Sequence, residues 1–175
     1  LRGAWPANQH PIRAVGENDL RWVRHELTRN WGRPQIWSIG LMYDADALPG
    51  FIVEDDAGER IGLATYSLET HVAPGECELV TLSSLVERGG VGGALIDAVA
   101  RAAKEARCTR LYLTTTNDNL HALGFYQRRG WVLTKLHAGI IERARERHPG
   151  IPMIGMNGIP WRDELELELP REEWP

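Results

Sequence analysis

Lysine is nearly missing from this chain. Lys104 and Lys135 stand alone among twenty Lys and Arg residues, set against twenty-four acidic ones. The resulting net charge of −4 excludes a broad basic face for nucleic acid. Cysteine is equally scarce. Cys77 and Cys108 are too few for a disulfide framework and fit a reducing cytoplasm. Neither cysteine joins the six scattered histidines in a metal-ligand spacing, so no metal is expected. No apolar run approaches the roughly 20 residues of a membrane span, and no signal-peptide pattern opens the sequence. Repeats and low-complexity linkers are missing too. Residues 1–175 therefore read as one domain, long enough for a sizeable core.

What is present is concentrated between Leu79 and Trp131. This stretch reads strand, glycine-rich turn, helix, strand and short helix. The turn is Arg88, Gly89, Gly90, Val91, Gly92 and Gly93, directly before an amphipathic helix. Four glycines in six positions leave no side-chain wall over the backbone. Their N–H groups and the positive end of the helix suit a phosphate or pyrophosphate. A tight packing turn would need glycines as well. Two known phosphate loops are excluded on the spot. A P-loop needs Gly-Lys-Ser/Thr, but Ala94 and Leu95 follow Gly93. The dinucleotide fingerprint needs a third glycine where Leu95 stands.

Downstream, Asn119, Ala122, Phe125, Tyr126, Gly130 and Trp131 spell N-x-x-A-x-x-F-Y-x-x-x-G-W. Together with the glycine turn this resembles the GNAT superfamily of acyl-CoA-dependent N-acyltransferases. The family's loop is Q/R-x-x-G-x-G/A, where this chain has Glu87-Arg88-Gly89-Gly90-Val91-Gly92. Glu87 replaces the usual Gln or Arg, and Trp131 replaces the usual Phe. Arg88 offsets the negative charge of Glu87. The resemblance implies an α+β (mixed α/β) fold with a central, mostly antiparallel, twisted mixed sheet and helices on both faces. It also implies an N-acetyltransferase in which an amine attacks acetyl-CoA directly, in a ternary complex. The alternative on the same scaffold is a non-catalytic acyl-CoA sensor or interaction module. The acceptor is a small-molecule or peptide amine of unread identity. Neither nucleic acid nor membrane is a partner, and a homodimer is left open.

Site roles follow from the resemblance and from the needs of the reaction. The loop from Arg88 to Gly93 holds the pyrophosphate. The amide-rich pantetheine arm pairs with the backbone of Leu82, Ser83 and Ser84, like an added strand. In the family this strand carries a bulge and splays from the next. A backbone N–H near Leu82 serves the oxyanion. A protonated amine, with a pKa of about 10, must lose a proton before it attacks. Glu78 is the first candidate base and Glu76 the second, although both equally fit exposed hairpin residues. Tyr126 matches the residue that protonates the departing thiolate. Phe125 is read as the core anchor, which turns Tyr126 to the cleft; a core tyrosine is the other reading. Asn119 contacts the cofactor or caps the short helix. Ser83 and Ser84 lack a His/Asp arrangement for covalent catalysis.

Elsewhere the pattern is plainer. Ile12 to Val15 reads as a strand. Asp19 reads as the N-cap of a helix to Asn30, with Leu20, Val23 and Leu27 on its buried face. Gln35 to Leu48 fits either a short helix or a loop. Trp22, Trp31 and Trp37 fit core packing better than an acceptor site. Asp163 to Leu169 alternates leucine with Glu164, Glu166 and Glu168, which predicts a strand with its glutamates in solvent.

Overall fold

The computed structural model describes residues 10–70, 73–86 and 89–175. The readings placed on residues 1–9 and on Glu87 and Arg88 lie outside these residues. In chain order the elements are β1 (Ile12–Ala14), α1 (Leu20–Trp31), β2 (Gln35–Ser38), β3 (Leu41–Asp44), β4 (Gly50–Glu54), β5 (Arg60–Ser67) and β6 (Glu76–Ser84). They continue with α2 (Val91–Glu105), β7 (Arg110–Thr116), α3 (Leu120–Gln127), β8 (Val132–His137), α4 (Ile140–Arg147) and β9 (Glu164–Glu168).

Seven strands form one sheet in the order β1-β4-β5-β6-β7-β9-β8, and β2 and β3 form a separate hairpin. All pairings in the large sheet are antiparallel except that of β6 with β7. Its centre is apolar on both faces, because a helix covers each. Val91, Leu95, Ile96, Val99 and Ala103 of α2 pack on one side with Val53, Ala64, Cys77 and Leu79. Val23 and Leu27 of α1 pack on the other with Ile52 and Leu63. Gly62 of β5 lets α2 sit close, since a Cβ there would overlap the Val91 side chain. Among the described residues no helix is long and apolar enough to cross a membrane.

Two irregularities open the sheet along β6. Thr65 faces Thr81 and Tyr66 faces Leu79, so Val80 is an extra residue in β6, a bulge. The β6–β7 pairing covers only Glu76 to Glu78 against Arg110 to Tyr112. Beyond it β6 runs on to Ser84 and β7 to Thr116, with β7 pairing to β9 instead. The strands part in a V whose vertex is at Glu78 and Tyr112.

The β2–β3 hairpin corrects the reading of residues 35–48. Its two-residue turn places both Ile39 (φ 50°) and Gly40 (φ 76°) in the left-handed region, as a type I′ turn requires. The glycine is natural there. A β-branched residue is not, and costs about 1 kcal/mol or more. The hairpin covers the face of the sheet that carries Glu78 and the β9 glutamates. Glu164 and Glu166 are consequently buried, against the solvated face expected from alternation alone. The start of α1 is also corrected. Asp19 makes no side-chain cap; it is buried and accepts from Arg13, Arg60 and the Gly16 N–H. Leu20 is exposed, leaving Val23 and Leu27 as the buried pair.

Candidate active site

The glycine turn delivers the chain into α2. Gly90, at φ 72°, is the N-cap, and the first intrahelical bond runs from the Ala94 N–H to the Gly90 carbonyl (3.0 Å). The N–H groups of Val91, Gly92 and Gly93 therefore precede the helix ladder and point out of its positive end. Two of the glycines have a second reason to be there. A Cβ on Gly92 would stand 3.1 Å from Phe125 Cζ, and one on Gly93 would overlap the Arg129 guanidinium. Arg129 lies over the Phe125 ring, with Cζ 5.0 Å from the centroid. Burial lowers its pKa, and the Asp97 charge opposes that shift. The sequence reading did not single out this cation, which stands beside the first turn of α2.

Along β6 the backbone divides its amides. The Leu85 N–H donates to Ile61 O (2.9 Å), and Ser83 stands opposite Leu63. By alternation the amides of Ser83 face β5, and those of Leu82 and Ser84 face the edge that β7 has left. The side chain of Ser83 is also turned from that edge. Its hydroxyl donates to Glu26 (2.7 Å) and accepts from Asn30 (3.2 Å), both on α1. Ser84 Oγ donates to the Val86 carbonyl at 2.7 Å.

Glu78 sits at the vertex of the V and is 2% exposed. The exposed-hairpin alternative for it is thereby overturned. Three hydroxyls converge on its carboxylate. Ser38 donates to Oε1, and Tyr43 (2.7 Å) and Tyr112 (3.0 Å) donate to Oε2. Burial raises its pKa, the three donors pull it back, and the nearby Glu166 pushes it up again. Ser38 Oγ also lies 3.0 Å from Thr114 Oγ1. Glu76, the second candidate base, instead pairs with Arg110 at 3.4 Å. Arg110 also binds Glu166 and Glu168. Burial works against the Glu166 charge, but Arg110 and His137 outweigh it and hold its pKa low.

Glu164 is the other perturbed carboxylate. It accepts the Ile39 N–H at 2.7 Å and so fastens the hairpin tip. Burial pushes its pKa up to about 7, against the Ile39 bond and with help from Glu78. The sign follows from which state ionises first. Below its ordinary value of 4.5 the group is protonated both folded and unfolded. Between there and about pH 7 the unfolded chain ionises first, so stability falls as pH rises. Glu164→Gln keeps an acceptor for Ile39 and cannot ionise. It should gain on the wild type between pH 5 and pH 8, by up to roughly 3 kcal/mol. Thermal melts at both pH values measure this, and a Tm difference that stays constant would place the cost elsewhere.

On α3, Asn119 Oδ1 accepts the Ala122 N–H at 3.1 Å, so Asn119 caps the helix. The Tyr126 ring makes edge contacts with Phe125 (5.2 Å between centroids) and Trp131 (5.5 Å). Phe125 and Tyr126 pack against the same core cluster, so Phe125 does not turn its neighbour away as expected. Burial alone raises the Tyr126 pKa, which keeps the phenol protonated at neutral pH. Among the described residues no cluster of three or more His, Cys, Asp or Glu is placed to hold a metal.

The profile of the Acetyltransferase (GNAT) family matches residues 18–131, which include the cleft strands, the glycine turn and α3. The chain belongs to the GNAT acetyltransferase family. This acetyltransferase is 40% identical to YxbD of Bacillus subtilis (strain 168) over 139 residues, 79% of the chain and 85% of that protein. A Bacillus subtilis acetyltransferase solved in complex with CoA superposes with a TM-score of 0.66 at 19% identity, over 92% of this chain and 98% of that one. The spermidine/spermine N-acetyltransferase SpeG of Vibrio cholerae superposes at 0.64 and 18% identity, over 96% and 97%. These two likenesses are of fold.

Proposed function

We propose that the acetyltransferase moves an acetyl group from acetyl-CoA to a primary amine by direct attack in a ternary complex. One observation carries the reading: a buried carboxylate, Glu78, at the vertex of a cleft whose far end leads to the amides of α2. The cofactor's pyrophosphate would take those amides, with Gly89, Gly90 and Arg88 before them and Arg129 alongside. The amides of Leu82 and Ser84 would pair with pantetheine, and the Leu82 N–H would receive the oxyanion. Glu78 is the base. Asn119, by capping α3, positions Tyr126 as the acid for the thiolate.

A panel of spermidine, an aminoglycoside and a peptide with a free N-terminal alanine, each with acetyl-CoA, tests the activity by thiol release. No turnover with any amine would defeat the reading. Tyr126→Phe keeps the ring and its packing, so CoA affinity should be unchanged while kcat falls by about 10²-fold. Calorimetry and rapid-quench rates check both halves. A wild-type chemical rate would make Tyr126 a packing residue. Joint loss of stability and affinity would show that its hydroxyl holds the structure.

A further inference from the structure

We propose that the acceptor's proton reaches Glu78 through a chain of two hydroxyls, from Thr114 to Ser38 to the carboxylate; this rests on Glu78 being the base. Glu78 is covered by the hairpin and by Tyr112, so an amine in the cleft cannot touch it. Of its three donors, Tyr43 and Tyr112 are themselves buried. Ser38 is buried too, but it is hydrogen bonded to Thr114. Thr114 is half-buried on β7, two residues past the last β6 pair, where the strands have parted.

Hydrogen-bond direction along this chain is fixed. A hydroxyl has one proton, and that of Ser38 goes to Glu78. The Ser38–Thr114 bond must then be donated by Thr114, which leaves the Thr114 lone pairs as acceptors for an N–H. Every link points toward the base. The branch through Tyr112 offers no such opening, because that phenol is fully buried, whereas Thr114 is half-buried. The charged groups facing the chain are Glu164 and Glu166 on β9, with Arg110 on β7 and His137 on β8 bound to Glu166.

The transfer balances. The ammonium gives a proton to Thr114 Oγ1, which gives its own to Ser38 Oγ, which gives its own to Glu78 Oε1. Both hydroxyls end neutral, the carboxylate is protonated and the amine is free to attack. The C–N bond forms, the C–S bond breaks, and the second amine proton replaces the one that Tyr126 gives the thiolate. Glu78 returns its proton to solvent.

The test uses Thr114→Val and Ser38→Ala, with Glu78→Gln as reference and the fastest amine of the panel as acceptor. Each hydroxyl variant should lower kcat/KM by about 10- to 100-fold at pH 7 and recover near pH 10, where the amine is already neutral. Thr114→Ser should restore the wild-type profile, and CoA affinity should hold throughout. If Glu78→Gln is impaired while both hydroxyl variants keep wild-type profiles, the relay is wrong and the base stands. If Glu78→Gln is also unimpaired, or no amine turns over, the underlying reading fails and the relay with it. A Thr114→Val loss that is equal at all pH values, or that Thr114→Ser does not restore, makes Thr114 a structural residue and overturns the relay.

Discussion

Glu78→Gln should lower kcat at pH 7 by about 10³-fold, within the range for loss of a positioned base. The variant should fold. Its amide keeps one acceptor oxygen for the converging hydroxyls, and it no longer carries a charge at a site 2% exposed. Removing that charge relieves the burial that raises the carboxyl pKa. The signature lies in the pH profile. With the base gone, only the neutral fraction of the acceptor reacts, so the rate should climb about tenfold per pH unit toward the amine pKa of about 10. The wild type should level off sooner, once Glu78 is ionised. A profile parallel to the wild type would remove Glu78 from the mechanism and leave its three hydroxyl partners as a structural network.

Gly92→Asp should weaken acetyl-CoA binding by at least about 10²-fold, or roughly 3 kcal/mol. The substitution puts a carboxylate at the second residue of α2, among the amides assigned to the pyrophosphate. Aspartate in a first turn favours the helix itself, so lost affinity does not mean a frayed helix. The steric part is separable. Any Cβ here meets Phe125 Cζ at 3.1 Å, and Gly92→Ala brings that contact without the charge. The alanine variant should lose some stability and little affinity. Calorimetry on both variants isolates the charge, and a folded Gly92→Asp protein with wild-type affinity would move the phosphate site elsewhere.

The glycine turn was legible because its four glycines fall in one short stretch directly before an amphipathic helix. Gly90 needs a left-handed φ, and Gly92 needs room. The strand, helix, strand and short helix read between Leu79 and Trp131 are β6, α2, β7 and α3, and the alternation from Asp163 to Leu169 is β9. The face of Glu78 was harder, because one residue of slip reverses it and the bulge at Val80 introduces such a slip within β6. The polar half of the site was misread for one reason. Ile39-Gly40 is a turn signal in which an unfavourable residue holds the first place, so the hairpin stayed hidden. Without the hairpin nothing covers Glu164 and Glu166, and period-two alternation cannot say what lies above a strand's polar face. Ser38, Tyr43 and Thr114 were out of reach because three elements far apart in sequence bring them together.

The hairpin is a two-stranded sheet of its own, with no strand pairing to the seven-stranded sheet beneath it. Among the described residues its hydrogen bonds to that sheet run to Glu78, Glu164 and Thr114. A change in its length or sequence therefore leaves the ladder of the large sheet intact, provided the two anchoring glutamates keep their partners. On the proposed reading the frame grips the donor and the hairpin screens the acceptor, and the two can then drift at different rates. In a lineage of such enzymes, new acceptor preferences would accumulate between residues 35 and 44 while the frame stays fixed.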